Sequence, residues 1–215
     1  MKTAMTLKPK IAANFIPGVT LTNNELCLLA ETNGIEPAAL KAVQMVETGG
    51  CSGFISKQHP TILFEGHIFW QQLERIGIDP KRYVKGRENI LYPKWDKTKY
   101  LGGVHEYSRL SEACKINTEA AYRSTSWGMF QILGINYGWC GERTIADFVE
   151  KMTYSEYHQM ILAINFMRNS DLIPALQEKR WDLFAKKYNG KNYIKNNYAD
   201  KLKSAYMNAL QLFKQ

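Results

Sequence analysis

Residues Ser155 to Met167 read as a helix that is apolar nearly all the way round, with Tyr157, Met160, Ile161, Leu162, Ile164 and Phe166 spread over its sides. A helix with no polar face must be surrounded, so this stretch predicts a domain in which other helices wrap one buried rod. The rest of the chain supplies them. Helical spacing and stop signals mark Thr22–Thr32, a segment beginning at Pro37, Glu65–Ile76, Val104–Lys115, Thr118–Ser124 and Thr144–Met152. Leu172–Glu178, Trp181–Tyr188 and Ala199–Phe213 complete the pattern. Strand signals are scarce: Thr61–Phe64 is the best candidate, and Gly50–Pro60 reads as a loop. Asp79–Gly103 is irregular and carries Tyr83, Tyr92, Trp95 and Tyr100, aromatics suited to stacking on rings or to anchoring a loop. The fold class expected is mainly α.

A chain of 215 residues fits one domain, expected over residues 21–215, with residues 1–20 as an extension packed on it or trailing from it. No repeat, low-complexity tract or linker suggests a second domain. No apolar run approaches the roughly 20 residues of a membrane helix. Lys and Pro interrupt the N-terminus too often for a secretory signal, so synthesis and folding in a cytoplasm are expected. Cys27, Cys51, Cys114 and Cys140 lack close pairing, and with scattered histidines they form no zinc template. Reduced thiols are expected, with a disulfide between two of them left open.

The charge is distinctive: 28 Lys and Arg against 20 acids give +8. Arg180 to Lys203 alone holds seven basic residues and two aspartates. Such a balance points to a polyanionic partner, which could be nucleic acid, a lipid surface or a wall polymer, and charge alone does not choose. The last segment, Lys201 to Lys214, is basic and amphipathic, with Leu202, Tyr206, Leu210 and Phe213. It suits either docking on the core, the commoner use, or contact with an anionic outer-membrane surface.

Chemistry is concentrated at Glu47. In PAALKAVQMVETGG, Pro37 suits a first helical position and Gly49-Gly50 supply the stop. Leu40, Val43 and Glu47 share a stripe, so an acid sits on the apolar face of the last helical turn. Burial and the negative end of the helix dipole both disfavour its ionised form, as a general acid requires. The bland alternative is a frayed, solvated glutamate. Glu65 shares a stripe with Phe69 and Leu73 but sits in a first turn, where an ionised carboxylate is favoured. Two inward glutamates in opposite helix-end environments are the pattern that separates an acid from a base, although a helix-capping acid looks the same. His67 lies two residues beyond Glu65, a spacing that does not converge on a helix, so no metal site is expected.

Four phrases in order carry a resemblance. Glu47-Thr48, Gly128-Met129-Phe130-Gln131 and Lys187-Tyr188-Asn189-Gly190 resemble the catalytic segments of soluble lytic transglycosylases and goose-type lysozymes. AVQMVETGG, ILFEGHIFW, SWGMFQILGINY and FAKKYNGKNYIKNNYADKL resemble phage N-acetylmuramidase endolysins more closely, over roughly residues 20 to 212. The resemblance implies a lysozyme-like helical domain with a small β element and a central cleft. It puts the general acid on Glu47, a groove-lining glutamine on Gln131, and site-lining residues on Tyr188 and Asn189. Tyr193 is a further candidate for substrate contact, and Glu65 for a second catalytic carboxylate. Peptidoglycan glycan strands are the implied substrate, with no cofactor, no metal and no nucleic acid expected, acted on by a monomer; many relatives carry a separate wall-binding module, for which no room is expected in this chain. An enzyme of this kind would wait in the host cytoplasm for a membrane lesion.

Two rivals stand beside this reading. One is a lytic transglycosylase, in which the sugar's own 6-hydroxyl attacks. The other is a non-catalytic wall- or nucleic-acid-binding module that uses the basic tract and the aromatic loop. The nucleic-acid version is expected to show DNA binding that weakens steeply as salt rises in a titration, and salt-insensitive or absent binding would exclude it.

Overall fold

The computed structural model describes residues 18–189 and 197–213. Among these residues ten α-helices and five short strands follow in order. α1 (Asn23–Thr32) and α2 (Pro37–Thr48) lead into the hairpin of β1 (Phe54–Ser56) and β2 (His59–Pro60), then β3 (Ile62–Phe64) and α3 (Gly66–Arg75). α4 (His105–Cys114) and α5 (Thr118–Arg123) precede β4 (Thr125–Trp127) and β5 (Ile132–Leu133). The chain ends on α6 (Ile145–Tyr154), α7 (Glu156–Asn169), α8 (Ile173–Gln177), α9 (Trp181–Asn189) and α10 (Tyr198–Leu212). Among the described residues no helix is long and apolar enough to cross a membrane.

The helical segments fall where the sequence pattern puts them, and their ends have local causes. Thr22 and Glu25 form a capping box on α1, the Thr22 side chain accepting from Glu25 N and the Glu25 carboxylate from Thr22 N. Asn117, Thr144 and Ser155 cap α5, α6 and α7 through side-chain acceptors. The β structure was only partly anticipated. β3 pairs antiparallel with β4, and β4 with β5, matching Ile62 to Trp127 and Trp127 to Ile132. Gly50–Pro60, read as a loop, contains the β1–β2 hairpin. Strands of two or three residues are too short for alternation to show in sequence.

α7 is the buried rod that its sequence suggested, with Met160, Leu162, Ala163, Ile164 and Met167 in the core. Its apolar reading needs correcting at two positions, because Glu156 and Gln159 are also buried. Glu156 Oε1 accepts from Ser52 Oγ and Gly53 N, each at 2.7 Å, and Oε2 accepts from Leu21 N at 2.9 Å. Gln159 Oε1 accepts from Met129 N at 2.8 Å, and its amide donates to Met152 O at 2.9 Å and Gly53 O at 3.3 Å. These two side chains fasten the loop after α2 and the turn between β4 and β5 to the centre of the molecule. Gly53 is required there, since a Cβ at that position would lie 2.1 Å from Gln159 Oε1.

A second buried network holds residues 79–103. Arg109 and Glu106 are almost fully buried and pair at 2.6 Å. Glu106 also accepts from the backbone N–H groups of Phe64, Leu101 and Gly102. Arg109 donates to Phe64 O, to Asn89 O and to the Tyr92 hydroxyl. Burial by itself would raise the Glu106 carboxyl, but three backbone donors and Arg109 outweigh it and hold it below the usual carboxylate range. α10 lays Tyr198, Leu202, Ala205 and Ala209 inward and packs along α2. Its apolar side is therefore occupied, as the docking reading expected, and its charged side faces outward.

Arg109→Leu would leave the Glu106 charge buried without its counter-ion. It is expected to cost about 3–5 kcal/mol in urea unfolding. Adding Glu106→Gln in that background is expected to recover part of the loss, because the orphaned charge is removed.

Candidate active site

Glu47 lies in the last turn of α2, a helix with no basic residue in that turn and with Gly49 in the left-handed conformation (φ 56°) at its end. The side chain is half-buried, not in open solvent. The Tyr198 hydroxyl, brought in by the first residue of α10, donates to Glu47 Oε1. The Tyr188 hydroxyl from α9 reaches the same carboxyl. Tyr188 is sandwiched between Phe184, with centroids 5.6 Å apart, and Tyr198, 6.1 Å away, each at 12°. Phe166 of α7 meets the Tyr188 ring edge-on. The carboxyl thus sits at the rim of an aromatic stack built by three helices.

Burial raises the Glu47 pKa, and the hydrogen bonds from Tyr198 and Tyr188 pull it down without cancelling the rise. Burial and then the neighbouring Glu47 charge push the Tyr188 hydroxyl up, so it remains a donor. Proximity of Tyr188 to the acid was implied by resemblance. Tyr198 was missed. Its only signal in sequence is an aromatic residue just before the terminal helix, a position that packing alone explains equally well.

Gln131 closes the turn between β4 and β5. It adopts φ 48°, in the left-handed region that a non-glycine residue seldom occupies. Its side-chain amide donates to Gly128 O at 2.8 Å and Thr61 O at 3.1 Å. Both amide hydrogens are spent on the backbone, so its exposed side chain offers its oxygen outward as an acceptor. Thr61 connects this turn with the end of α2. Thr61 N donates to Gly53 O at 2.8 Å, Gly128 N donates to Thr61 O at 2.8 Å, and Cys51 N donates to Thr48 O at 2.9 Å. The Asn189 side chain and Tyr193 lie outside the described residues, as does the extension up to residue 17.

Glu65 follows β3 directly, four residues beyond Thr61, or about 13 Å along an extended strand. It is the N-cap of α3 (φ −102°, ψ 90°) and not a first-turn residue. That backbone changes the geometry with His67, for the two side chains do converge: His67 Nδ1 lies 3.5 Å from Glu65 Oε2. The i, i+2 argument holds for two helical residues, and Glu65 is not one. The Tyr100 hydroxyl donates to the same oxygen at 2.5 Å. Cys27, Cys51, Cys114 and Cys140 are all free thiols.

The fold is that of the lysozyme-like enzymes, a mainly helical body with a small antiparallel sheet. The chain belongs to the N-acetylmuramidase family, whose model matches residues 36–210. A crystal structure of the Burkholderia AP3 phage endolysin superposes with a TM-score of 0.80 at 33% identity, over 89% of this chain and 72% of that one. No curated protein matches the chain by sequence.

The raised Glu47 pKa has a consequence for stability. The native carboxyl keeps its proton to higher pH than the unfolded chain does, so native stability falls as pH rises through that window. Glu47→Gln removes this cost. The variant is expected to melt above the parent at neutral pH, with the gap closing as pH drops below the ordinary carboxylate range, as thermal unfolding across pH would record. A gap that widens on acidification would contradict the assignment.

Proposed function

We propose that this protein is a peptidoglycan-cleaving muramidase of the endolysin type, with Glu47 as its general acid. The bond cut is the β-1,4 link from N-acetylmuramic acid to N-acetylglucosamine. What supports this most is the setting of Glu47: an acid in an apolar corner, with no cation in its helical turn and a pKa raised by burial. Such a carboxyl carries a proton where an ordinary glutamate has lost it, and gives it to the glycosidic oxygen as positive charge builds on the muramic acid carbon. Tyr188 and Tyr198 serve the acid by orienting it. They accept no proton in the step, and they stabilise the carboxylate left behind. The Gln131 oxygen suits an acetamido N–H or a sugar hydroxyl.

Glu65 receives a supporting part in this scheme. Its Oε2 is already engaged by Tyr100 and faced by His67, an arrangement suited to holding a sugar or the loop and not to nucleophilic attack. Water then attacks the oxocarbenium carbon and gives up a proton, which returns Glu47 to its acid form and leaves a free reducing end. In the transglycosylase alternative the muramic acid 6-hydroxyl takes that place and leaves an anhydro end.

Glu47→Gln is expected to lose about 10²–10⁴ in the rate of clearing purified peptidoglycan while remaining folded. Glu65→Gln is expected to lose far less. Mass spectrometry of the released fragments is expected to show reducing ends. Full activity in Glu47→Gln would refute the acid assignment, and anhydro ends would refute hydrolysis.

A further inference from the structure

The irregular segment 79–103 carries more order than its sequence suggests, and of the two aromatic side chains it exposes, Tyr83 and Trp95, Trp95 is the more open. Trp95 is 62% exposed, so its indole face is open to a ligand. The segment is fixed at several points. Arg109 holds the Asn89 carbonyl, and Glu106 holds the N–H groups of Leu101 and Gly102. The Arg109 guanidinium lies over the Tyr100 ring at 5.8 Å. Tyr100 in turn stands between Trp95, whose indole N–H is directed at its hydroxyl, and Glu65, to which that hydroxyl donates. An exposed ring is therefore tied through one tyrosine to a half-buried carboxylate.

One polar group tied to this ring through Tyr100 is left with unused capacity. Glu65 Oε1 has no hydrogen-bond partner among the described residues, because Tyr100 and His67 both address Oε2. His67 Nδ1 faces the same Oε2 at 3.5 Å and is itself buried, so it backs the carboxylate and is closed to a ligand. A flat apolar face next to a carboxylate acceptor is the chemistry that recognises a pyranose, which offers an apolar face and equatorial hydroxyls. β3 joins this group to the Gln131 turn, so a short oligosaccharide lying along the strand could reach both.

We infer that Trp95, held by Tyr100 and Glu65, is a stacking platform for an N-acetylhexosamine ring of the glycan strand, a subsite at the end of β3 remote from Gln131. This rests on the muramidase reading for its ligand. It assigns Trp95 to binding and not to bond cleavage.

The test uses purified peptidoglycan sacculi and the full chain. In a Glu47→Gln background that binds without cutting, W95A is expected to co-sediment about fivefold to thirtyfold more weakly, and W95F within about threefold of the parent. Y100F is expected to fall between them. In the otherwise unmodified enzyme, W95A is expected to raise KM on soluble glycan chains by a similar factor, with kcat within about twofold. Unchanged sedimentation and KM in W95A would overturn the inference and leave Glu47 untouched. A loss in W95F as large as in W95A would also overturn it, since the ring face is then not what binds. Clearing that survives Glu47→Gln would instead remove the acid, and the KM comparison in the otherwise unmodified enzyme would then decide the Trp95 inference.

Discussion

A carboxyl group in an apolar corner without a cation governs this structure. Placing Glu47 there is unfavourable at neutral pH, and several elements cooperate to keep it there. α10 packs along α2 and brings Tyr198 to the acid, α9 brings Tyr188, and α7 backs the stack with Phe166. A Lys or Arg in place of either tyrosine would give the carboxylate a partner and take its proton away. Neutral donors orient the group while leaving burial as the larger influence on its protonation.

The second constraint is mechanical. A general acid is useful only if the elements around it stay in register. Here the loop after α2 and the Gly128–Gln131 turn hang from two polar side chains of one buried helix, Glu156 and Gln159. Thr61 ties the two loops together through backbone hydrogen bonds. On the far side of the sheet, the Glu106–Arg109 pair does the same for the segment bearing Trp95 and Tyr100. Each buried charge has its hydrogen bonds met, the condition under which such networks rigidify a site.

Much of this was legible in the sequence. The helices follow from apolar spacing and stop residues, and Glu47 stands out because an acid on an apolar helix end conflicts with the ordinary preference for a base there. Gln131 and Tyr188 came from resemblance alone, as no periodicity marks them. β3 falls within the Thr61–Phe64 candidate, and the other short strands escaped because two or three residues cannot display alternation. Glu156 and Gln159 escaped because single polar residues on an apolar helix read as tolerated exceptions, when their partners lie over a hundred residues away in sequence or at a distant turn. Tyr198 escaped for the same reason: its partner lies on α2, far back in the chain. Glu65 was recognised as inward-facing, but its cap geometry, and with it the approach of His67, depends on the strand that precedes it.

The most direct measurement is an NMR titration of the Glu47 side-chain carboxyl carbon in the folded protein. The account predicts a midpoint above the ordinary glutamate value of 4.5, moving higher still in Tyr198→Phe because a donor to the carboxylate is removed. A midpoint at or below 4.5, or one that drops when Tyr198 loses its hydroxyl, would contradict it.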